Sequence, residues 1–141
     1  MTILDTNIFS EVVKPRPEPK VIEWLGAQKY HEVYLTAITL AEVRHGLNNM
    51  PAGKRQAQLH DAVEALFENE FAGRILPFDE AASFCYAQLV VERARAGRPV
   101  QAFDAQIAAI ARARGATVAT RNTKDFEQCG VALVNPWTKL S

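Results

Sequence analysis

Three acidic residues from distant parts of the sequence are candidates for a single charged site. Asp5 follows the apolar residues Ile3 and Leu4, Glu42 lies in a predicted helix, and Asp104 lies in an alanine-rich one. Carboxylates within ~4–6 Å of one another repel, and each raises the pKa of its neighbours. A hard divalent cation relieves this repulsion, because Mg²⁺ binds a few carboxylates while keeping water ligands and Mn²⁺ accepts the same oxygens. The three acids therefore suggest a metal site if the fold brings them together.

Asp104 provides the strongest reason to expect such a site. In residues 101–111 it shares one helical face with Ile107, Ala108 and Ala111. A carboxylate on an apolar, inward-packing face is costly unless another group compensates it. The alternative is an ordinary acid in the first turn of a helix, where the helix dipole favours negative charge.

Asp5 and Glu42 also have simpler interpretations. Asp5 is followed by Thr6 and Asn7, and all three residue types cap helix N-termini. Taken alone, this stretch favours a helix cap. Glu42, taken alone, would be an exposed glutamate beside neighbouring apolar residues. The metal site is therefore a hypothesis about the three acids together.

Short apolar segments alternate with helical segments along the chain. Strands are predicted at residues 2–4, 33–35, 74–77, 117–119 and 131–134. Helices are predicted at residues 21–25 and 38–47, after Gly53, from Asp79 towards Gly97, and at residues 100–114, with Gly115 as a C-terminal stop. This alternation predicts an α/β fold with a central, mainly parallel sheet of about five short strands and helices on both faces. The length predicts one domain over residues 1–141.

The expected sheet would bring polar residues to one edge. In an open parallel sheet the working crevice lies beyond the carboxyl ends of the strands. Polar residues follow strands one, two and four at this point, namely Asp5, Thr36, Thr120, Arg121 and Asn122, with Asp125 one helical turn further on. Several chain segments would therefore meet there.

Composition excludes several classes of protein. Sixteen Lys and Arg balance sixteen Asp and Glu, which argues against a polycation that binds nucleic acid by charge alone. Cys85 and Cys129 form no C-x-x-C motif, so a disulfide framework or a zinc site is not expected. Acidic residues near the N-terminus are unlike a signal peptide, and no apolar run approaches the ~18 residues of a membrane span. A cytoplasmic location without membrane attachment is the default expectation.

Four blocks of the sequence resemble PIN-domain proteins, in the order found in that family. They are LDTN (residues 4–7), AITLAEVRHGL (37–47), FDAQIAAIA (103–111) and VATRNTKDF (118–126). More narrowly, the chain resembles the toxin subunits of type II toxin–antitoxin pairs, the VapC group, and RILPFD (74–79) and NPW (135–137) resemble its FitB-like branch. The resemblance covers essentially the whole chain. It implies a PIN-like three-layer fold and a metal-dependent endoribonuclease.

The resemblance also implies roles for individual residues. Asp5, Glu42 and Asp104 would be the metal-site acids, and Asp125, in the pattern N-x-x-D-F, would support catalysis or would be an ordinary acid in a first helical turn. The supporting polar residues form two pairs: Thr6 or Asn7 would orient Asp5, and Thr120 or Asn122 would hold water or phosphate. One or two Mg²⁺ ions, or Mn²⁺, would polarise the phosphate and activate water, leaving a 5′-phosphate and a 3′-hydroxyl.

An RNA substrate also needs cations for its backbone. The candidates are Arg93, Arg95 and Arg98 before the Asp104 helix, and Arg121 and Lys124 near the expected site. Each of them is also explained as a solvated surface charge.

The resemblance further implies protein partners. A small antitoxin would insert a segment, often with a basic side chain, into a groove of the toxin, and the antitoxin would bind operator DNA. The toxin would form a homodimer and a larger assembly with the antitoxin. The apolar segments at residues 21–25 and 59–67 are candidates for the groove, although core packing explains them as well.

Two other functions fit parts of the sequence. A phosphoacceptor receiver domain would use Asp79 as acceptor, but it would want a second acid beside Asp5 and a lysine where Asn135 and Pro136 stand. A catalytically inactive PIN scaffold is the third possibility, and the intact acid trio argues against it.

Overall fold

Five parallel strands form the centre of the protein. The computed structural model describes residues 1–138. The strands are β1 (Thr2–Leu4), β2 (Val33–Thr36), β3 (Ile75–Leu76), β4 (Thr117–Ala119) and β5 (Ala132–Val134). Their order across the sheet is β3-β2-β1-β4-β5, and every neighbouring pair is parallel. The predicted α/β class with a parallel sheet of about five strands is confirmed; residues 139–141 of the predicted domain lie outside the described residues.

Six α-helices connect and cover the strands. They are α1 (Thr6–Val12), α2 (Pro19–Gly26), α3 (Ala37–Asn48), α4 (Lys54–Ala65), α5 (Glu80–Arg95) and α6 (Ala102–Arg114). A turn of π-helix (Leu66–Glu70) continues α4, and short 3₁₀ turns lie at Tyr30–Glu32 and Thr123–Asp125. Within the described residues, no helix is long and apolar enough to cross a membrane.

The two faces of the sheet are covered by separate apolar clusters. Successive residues of a strand point to opposite faces, and the central strands show this directly. Ile3 and Val118 belong to a cluster that includes α5 and α6 residues, whereas Leu4 and Ala119 belong to a cluster that includes residues of α1 to α4. The protein is therefore a three-layer structure, with helices on both faces of the sheet as the sequence predicted.

The strand register brings the carboxyl ends of the central strands together. Leu4 pairs with Ala119, and Ala119 pairs with Val134. The main-chain N–H of Asp5 donates to Ala119 O at 2.9 Å, and that of Thr120 donates to Val134 O at 2.9 Å. The residues that follow β1, β4 and β5 therefore lie side by side at one edge of the sheet.

Local chemistry explains where several elements begin and end. The strand predicted at residues 74–77 is reduced to Ile75–Leu76, and Pro77, which has no N–H to donate, ends it. Asp79 caps α5 by accepting a 2.9 Å hydrogen bond from the Ala82 N–H. Gly115 ends α6 in the left-handed conformation with φ 63°, which glycine adopts without strain.

Candidate active site

Asp5 is buried at the carboxyl end of β1, with both of its carboxylate oxygens hydrogen-bonded. Oδ1 accepts from the Thr6 N–H at 2.8 Å, and Oδ2 accepts from the Thr120 hydroxyl at 2.8 Å. Burial raises the pKa of Asp5; these two hydrogen bonds oppose the rise, and the charges of Glu42 and Asp125 add to it. The two interpretations of Asp5 are compatible, because it caps α1 and also faces other acids.

Glu42 is held beside Asp5 by a threonine pair. Thr6 Oγ1 donates to Glu42 Oε1 at 2.7 Å and lies 3.0 Å from Thr39 Oγ1. Since the single Thr6 hydroxyl proton is directed at Glu42, Thr39 is the donor in the second contact. The Thr6 side chain therefore orients Glu42, and only its main-chain N–H supports Asp5. The prediction that Thr6 or Asn7 orients Asp5 stays a prediction, with the Thr6 main-chain N–H as the group that contacts Asp5.

Thr120 is fully buried, and its hydroxyl proton is directed at Asp5. Its Oγ1 donates to Asp5 and accepts from Asn7 Nδ2 at 3.3 Å and from the Asn122 N–H at 3.0 Å. The hydroxyl has no further proton for a phosphate, which argues against Thr120 as the residue that holds phosphate; the predicted role of Thr120 or Asn122 stays a prediction. Asn7 supports Asp5 through Thr120, whereas the exposed Asn122 side chain faces the pocket.

Asp104 lies half-buried in the first turn of α6 and faces the other acids. Burial, followed by repulsion from Asp5, Asp125 and Glu42, raises the pKa of Asp104 to about 6, while the charge of Arg93 acts in the opposite direction. Asp104 is thus both a helix-start acid and part of a charged site. Asp104 is partly desolvated because it lies at the edge of the α6 face that packs into the protein.

A cavity of about 410 Å³ brings these residues together at the sheet edge. Asp5, Glu42 and Asp104 line it, together with Thr6, Asn7, Ser10, Glu11, Lys14, Arg121, Asn122 and Trp137. Sequence reasoning gave no site role to Ser10, Glu11, Lys14 or Trp137, although Trp137 lies in the NPW block. The first three follow Asn7 at three-, four- and seven-residue intervals, so reading the helix after LDTN by its faces would have found them. The cavity is called the acid pocket below.

Asp125 stands outside the lining of the acid pocket but close to it. It is exposed in the turn Thr123–Asp125, and its charge raises the pKa of both Asp5 and Asp104. Its main-chain carbonyl accepts a 2.9 Å hydrogen bond from Arg93. A supporting catalytic role for Asp125 stays a prediction.

The donor set of the acid pocket fits a hard divalent cation. Three carboxylates line the cavity, and the charges of neighbouring acids add to the raised pKa of Asp5 and of Asp104. A cation in the cavity would relieve this repulsion. Among residues 1–138, no three His, Cys, Asp or Glu side chains stand close enough to surround one ion. The three acids therefore line one pocket without forming the tight trio that the sequence suggested.

Of the five cations proposed for RNA, only Arg121 lines the acid pocket. Arg93 is buried, with 4% of its surface exposed. It donates to main-chain carbonyls of Arg98, Asp125 and Glu127, so its burial argues against the predicted contact with RNA.

The three remaining cations lie outside the pocket lining. Arg98 pairs with Glu127 at 3.0 Å, and Arg95 and Lys124 are exposed. Their contact with RNA stays a prediction.

A second cavity, of about 580 Å³, adjoins the acid pocket between α1, α3 and α4. It shares Thr6, Ser10, Lys14 and Glu42 with the acid pocket, and its apolar lining includes Phe9, Val43 and Leu59. We call it the apolar groove. The predicted groove residues 21–25 do not line it, and Val21 is fully buried in the core.

The geometry excludes the receiver-domain interpretation. Asp79, its candidate phosphoacceptor, caps α5 and lines a cavity with Met1 and Arg114. Met1 precedes β1, so this cavity lies at the opposite end of the strand from Asp5. A receiver would need these two aspartates in one pocket.

Comparison with known proteins agrees with this geometry. A model of the PIN domain matches residues 2–131. The chain is 44% identical to VapC ribonuclease Y4jK of Sinorhizobium fredii (strain NBRC 101917 / NGR234), covering 97% of this chain and 98% of that protein. It is 43% identical to toxin FitB of Neisseria gonorrhoeae (strain ATCC 700825 / FA 1090), covering 97% of this chain and 99% of that protein.

A solved structure extends the agreement to the whole fold. A chain in the structure of FitAB bound to an IR36 DNA fragment superposes with a TM-score of 0.94 at 42% identity, covering 100% of this chain and 99% of that one. The resemblance seen in the sequence blocks is thereby confirmed over nearly the full length. The chain belongs to the PIN-domain family.

Proposed function

We propose that the protein is the toxin of a type II toxin–antitoxin pair and acts as a Mg²⁺- or Mn²⁺-dependent endoribonuclease. Nucleases of the PIN family depend on divalent cations, and similar proteins are named as a VapC ribonuclease and a FitB toxin. The observation that carries the proposal is that Asp5, Glu42 and Asp104, from three separate segments, line one pocket. A ribonuclease of this kind works in the cytoplasm, and residues 1–141 act as one PIN domain.

We assign the metal to Asp5, Glu42 and Asp104, one or two of which would bind the ion directly while the rest act through water, with Asp125 in support. A bound divalent cation would polarise the scissile phosphate and lower the pKa of the attacking water. Thr120 holds Asp5 and Thr6 holds Glu42, so the carboxylates are oriented before substrate arrives. The supporting residues have distinct roles: Asn7 donates to Thr120, Asn122 offers an exposed amide to water or phosphate, and Arg121 supplies positive charge.

The partners of this function are an RNA substrate and a small antitoxin. The apolar groove adjoins the acid pocket, so an antitoxin segment lying in the groove could direct a basic side chain at the acids. Operator DNA would be bound through the antitoxin; the FitAB pair, whose toxin is similar to this chain, has been solved bound to a DNA fragment. The toxin itself would form a homodimer and a larger complex with the antitoxin.

The test uses purified, antitoxin-free protein and total RNA. Cleavage is expected with Mg²⁺ or Mn²⁺ and not in EDTA, and Asp5→Asn and Asp104→Asn are expected to abolish it. Asp61→Asn, at an exposed α4 acid outside the acid pocket, is the matched control and should cleave normally. Cleavage in EDTA, or undiminished cleavage by both site variants, would reject the assignment. Failure of the wild type with either metal would favour an inactive scaffold.

A further inference from the structure

Arg121 and Trp137 form a cation–π contact at the rim of the acid pocket. The Arg121 Cζ atom lies 5.0 Å from the centroid of the Trp137 ring. Both residues line the pocket that holds the three acids. The indole therefore lies against a guanidinium that has direct access to the site.

Hydrogen bonds hold the two residues in this arrangement. The main-chain N–H of Trp137 donates to Asn135 Oδ1 at 2.9 Å, and Asn135 Nδ2 donates to Arg121 O at 3.3 Å. The Arg121 N–H donates to Asn7 Oδ1 at 3.3 Å. The segment after β5 is thus joined to the loop after β4 and to α1, and Trp137 packs beneath the arginine from a fixed position.

The positive charge of Arg121 is available to a ligand. Its side chain is exposed, and in the part of the chain that the structure describes it forms no ion pair. The neighbouring acid, Glu11, has one oxygen bonded to Lys14 Nζ at 2.9 Å and the other to the Glu18 N–H at 3.0 Å. Glu11 is therefore already satisfied, and the planar fork of Arg121 keeps its donors for an anion of matching geometry.

We propose that Arg121 binds a backbone phosphate of the RNA beside the acid pocket and that Trp137 is the positioning residue that holds Arg121 there. This inference rests on the proposed function and adds a substrate contact to it. A long arginine side chain loses rotamer freedom on binding an anion. Stacking on a fixed indole reduces that loss, because the guanidinium already lies at the pocket rim.

The experiment measures binding of a short, fluorescein-labelled single-stranded RNA to the full chain in EDTA, at several salt concentrations. Arg121→Gln is expected to weaken binding by about tenfold and to reduce the slope of log K against log salt by about 0.7, the value for one phosphate contact on a single strand. Trp137→Leu is expected to weaken binding about threefold, and Trp137→Phe to retain most of the affinity, since phenylalanine keeps an aromatic face. Lys29→Gln, which removes one exposed charge before β2 at the opposite edge of the sheet, is the control and should leave the slope unchanged.

The double variant Arg121→Gln/Trp137→Leu separates the possible roles of the indole. If Trp137 acts through Arg121, adding Trp137→Leu to Arg121→Gln weakens binding no further. If Trp137→Leu weakens binding as much in the Arg121→Gln background as it does in the wild type, the indole contacts RNA itself. That result would overturn the positioning role. An unchanged affinity and slope in Arg121→Gln would overturn the phosphate contact.

Cleavage assays with Mg²⁺ and Mn²⁺ distinguish this inference from the proposed function. If the wild type cleaves RNA but the two side chains show no coupling in binding, the inference fails and the function stands. If the coupling is found but the wild type does not cleave, the ribonuclease assignment fails and the phosphate contact stands. Thermal melting of every variant confirms that each one is folded.

Discussion

The hydroxyl of Thr120 donates a 2.8 Å hydrogen bond to Asp5 Oδ2, although the two residues are 115 positions apart in the sequence. The same hydroxyl oxygen accepts from Asn7 and from the Asn122 N–H. Thr120 thereby ties the loop after β4 to the acid after β1. The orientation of Asp5, and with it the shape of the acid pocket, depends on this buried contact.

Thr120→Val is therefore expected to impair catalysis more than folding. Valine has nearly the same shape but leaves Asp5 without one of its two hydrogen bonds and removes the acceptor of Asn7. Loss of a residue that orients a metal ligand typically costs 10–100-fold in metal affinity or activity. Loss of the hydrogen bond should lower the free energy of unfolding by about 1 kcal/mol. The cleavage rate and a chemical denaturation curve measure the two effects.

Thr120→Ser is the matched control for this change, because serine keeps the hydroxyl. It should retain most of the activity. If valine and serine behave alike, the hydroxyl does not orient Asp5.

Metal binding is expected to weaken as the pH falls through about 6. A metal ligand must be deprotonated to bind, and burial together with the nearby acids raises the pKa of Asp104 to about 6. Protons therefore compete with the cation at a higher pH than for an ordinary aspartate. Titration of Mn²⁺ at a series of pH values, followed by calorimetry, tests this. An affinity that stays constant down to a pH of about 4.5 would contradict a direct ligand role for Asp104.

The stability of the metal-free protein should decrease as the pH rises, whereas metal binding strengthens as the pH rises. Because the pKa of Asp104 is raised in the folded state, the folded protein binds this proton more tightly than the unfolded chain. The stabilising contribution is complete below a pH of about 4 and is lost as the pH rises through about 6. Asp104→Asn removes the titrating group, so the loss of stability that Asp104 causes as the pH rises should be absent in this variant.

Asp104→Asn is accordingly expected to be more stable than the wild type in EDTA at neutral pH. The gain should be on the order of 1 kcal/mol once solvent screening of this half-exposed group is allowed for. The difference should become small at a pH of about 3, where Asp104 is mostly protonated in both states. Urea denaturation of both proteins at the two pH values provides the measurement. An equal difference in the free energy of unfolding at both pH values would show that the charge of Asp104 is not the cause.

Arg93→Met is expected to destabilise the fold without changing the number of RNA phosphates contacted. The guanidinium donates to three main-chain carbonyls of residues 98, 125 and 127 and to Cys129 Sγ. Methionine leaves these acceptors unpaired in a buried place, which should lower the free energy of unfolding by about 3 kcal/mol. Thermal and urea unfolding measure the loss.

The salt dependence of RNA binding then distinguishes Arg93 from Arg121. Since Arg93 is buried, the folded Arg93→Met protein should keep the wild-type slope of log K against log salt. A slope reduced as in Arg121→Gln would indicate that Arg93 contacts RNA after all. Arg93→Lys, which keeps the charge but loses the fork, should fall between wild type and methionine in stability.

Local sequence patterns were sufficient to predict most of the secondary structure. The alternation of short apolar runs with helical segments predicted the five strands and the parallel sheet, because buried parallel strands and their connecting helices have distinct periodicities. Asp79 and Gly115 marked helix ends for chemical reasons that need no distant contact. The predicted strand at residues 74–77 was too long, since Pro77 cannot supply the N–H that another ladder position requires.

The acids of the site were also identifiable from sequence, but the tasks of their neighbours were not. Asp104 on an inward face and Asp5 at a strand end are local signals, and the family resemblance linked them to Glu42. A threonine hydroxyl has one proton, so it can donate either to a neighbouring carboxylate or to a bound ligand. The direction of that proton is set by residues far away in the chain, as Thr6 with Glu42 and Thr120 with Asp5 demonstrate.

The sequence by itself determined the fold class and the family, and it singled out three acids that line one pocket, because each follows from local periodicity or from short motifs in a set order. Only the tertiary structure decided which cations face the acid pocket. Arg93 and Arg121 are equally charged in the sequence, yet one is buried among carbonyls and the other stacks on Trp137 at the pocket rim. Burial and hydrogen bonding are properties of the packed chain. They determine whether a charged side chain is hydrogen-bonded inside the protein or remains available to a ligand.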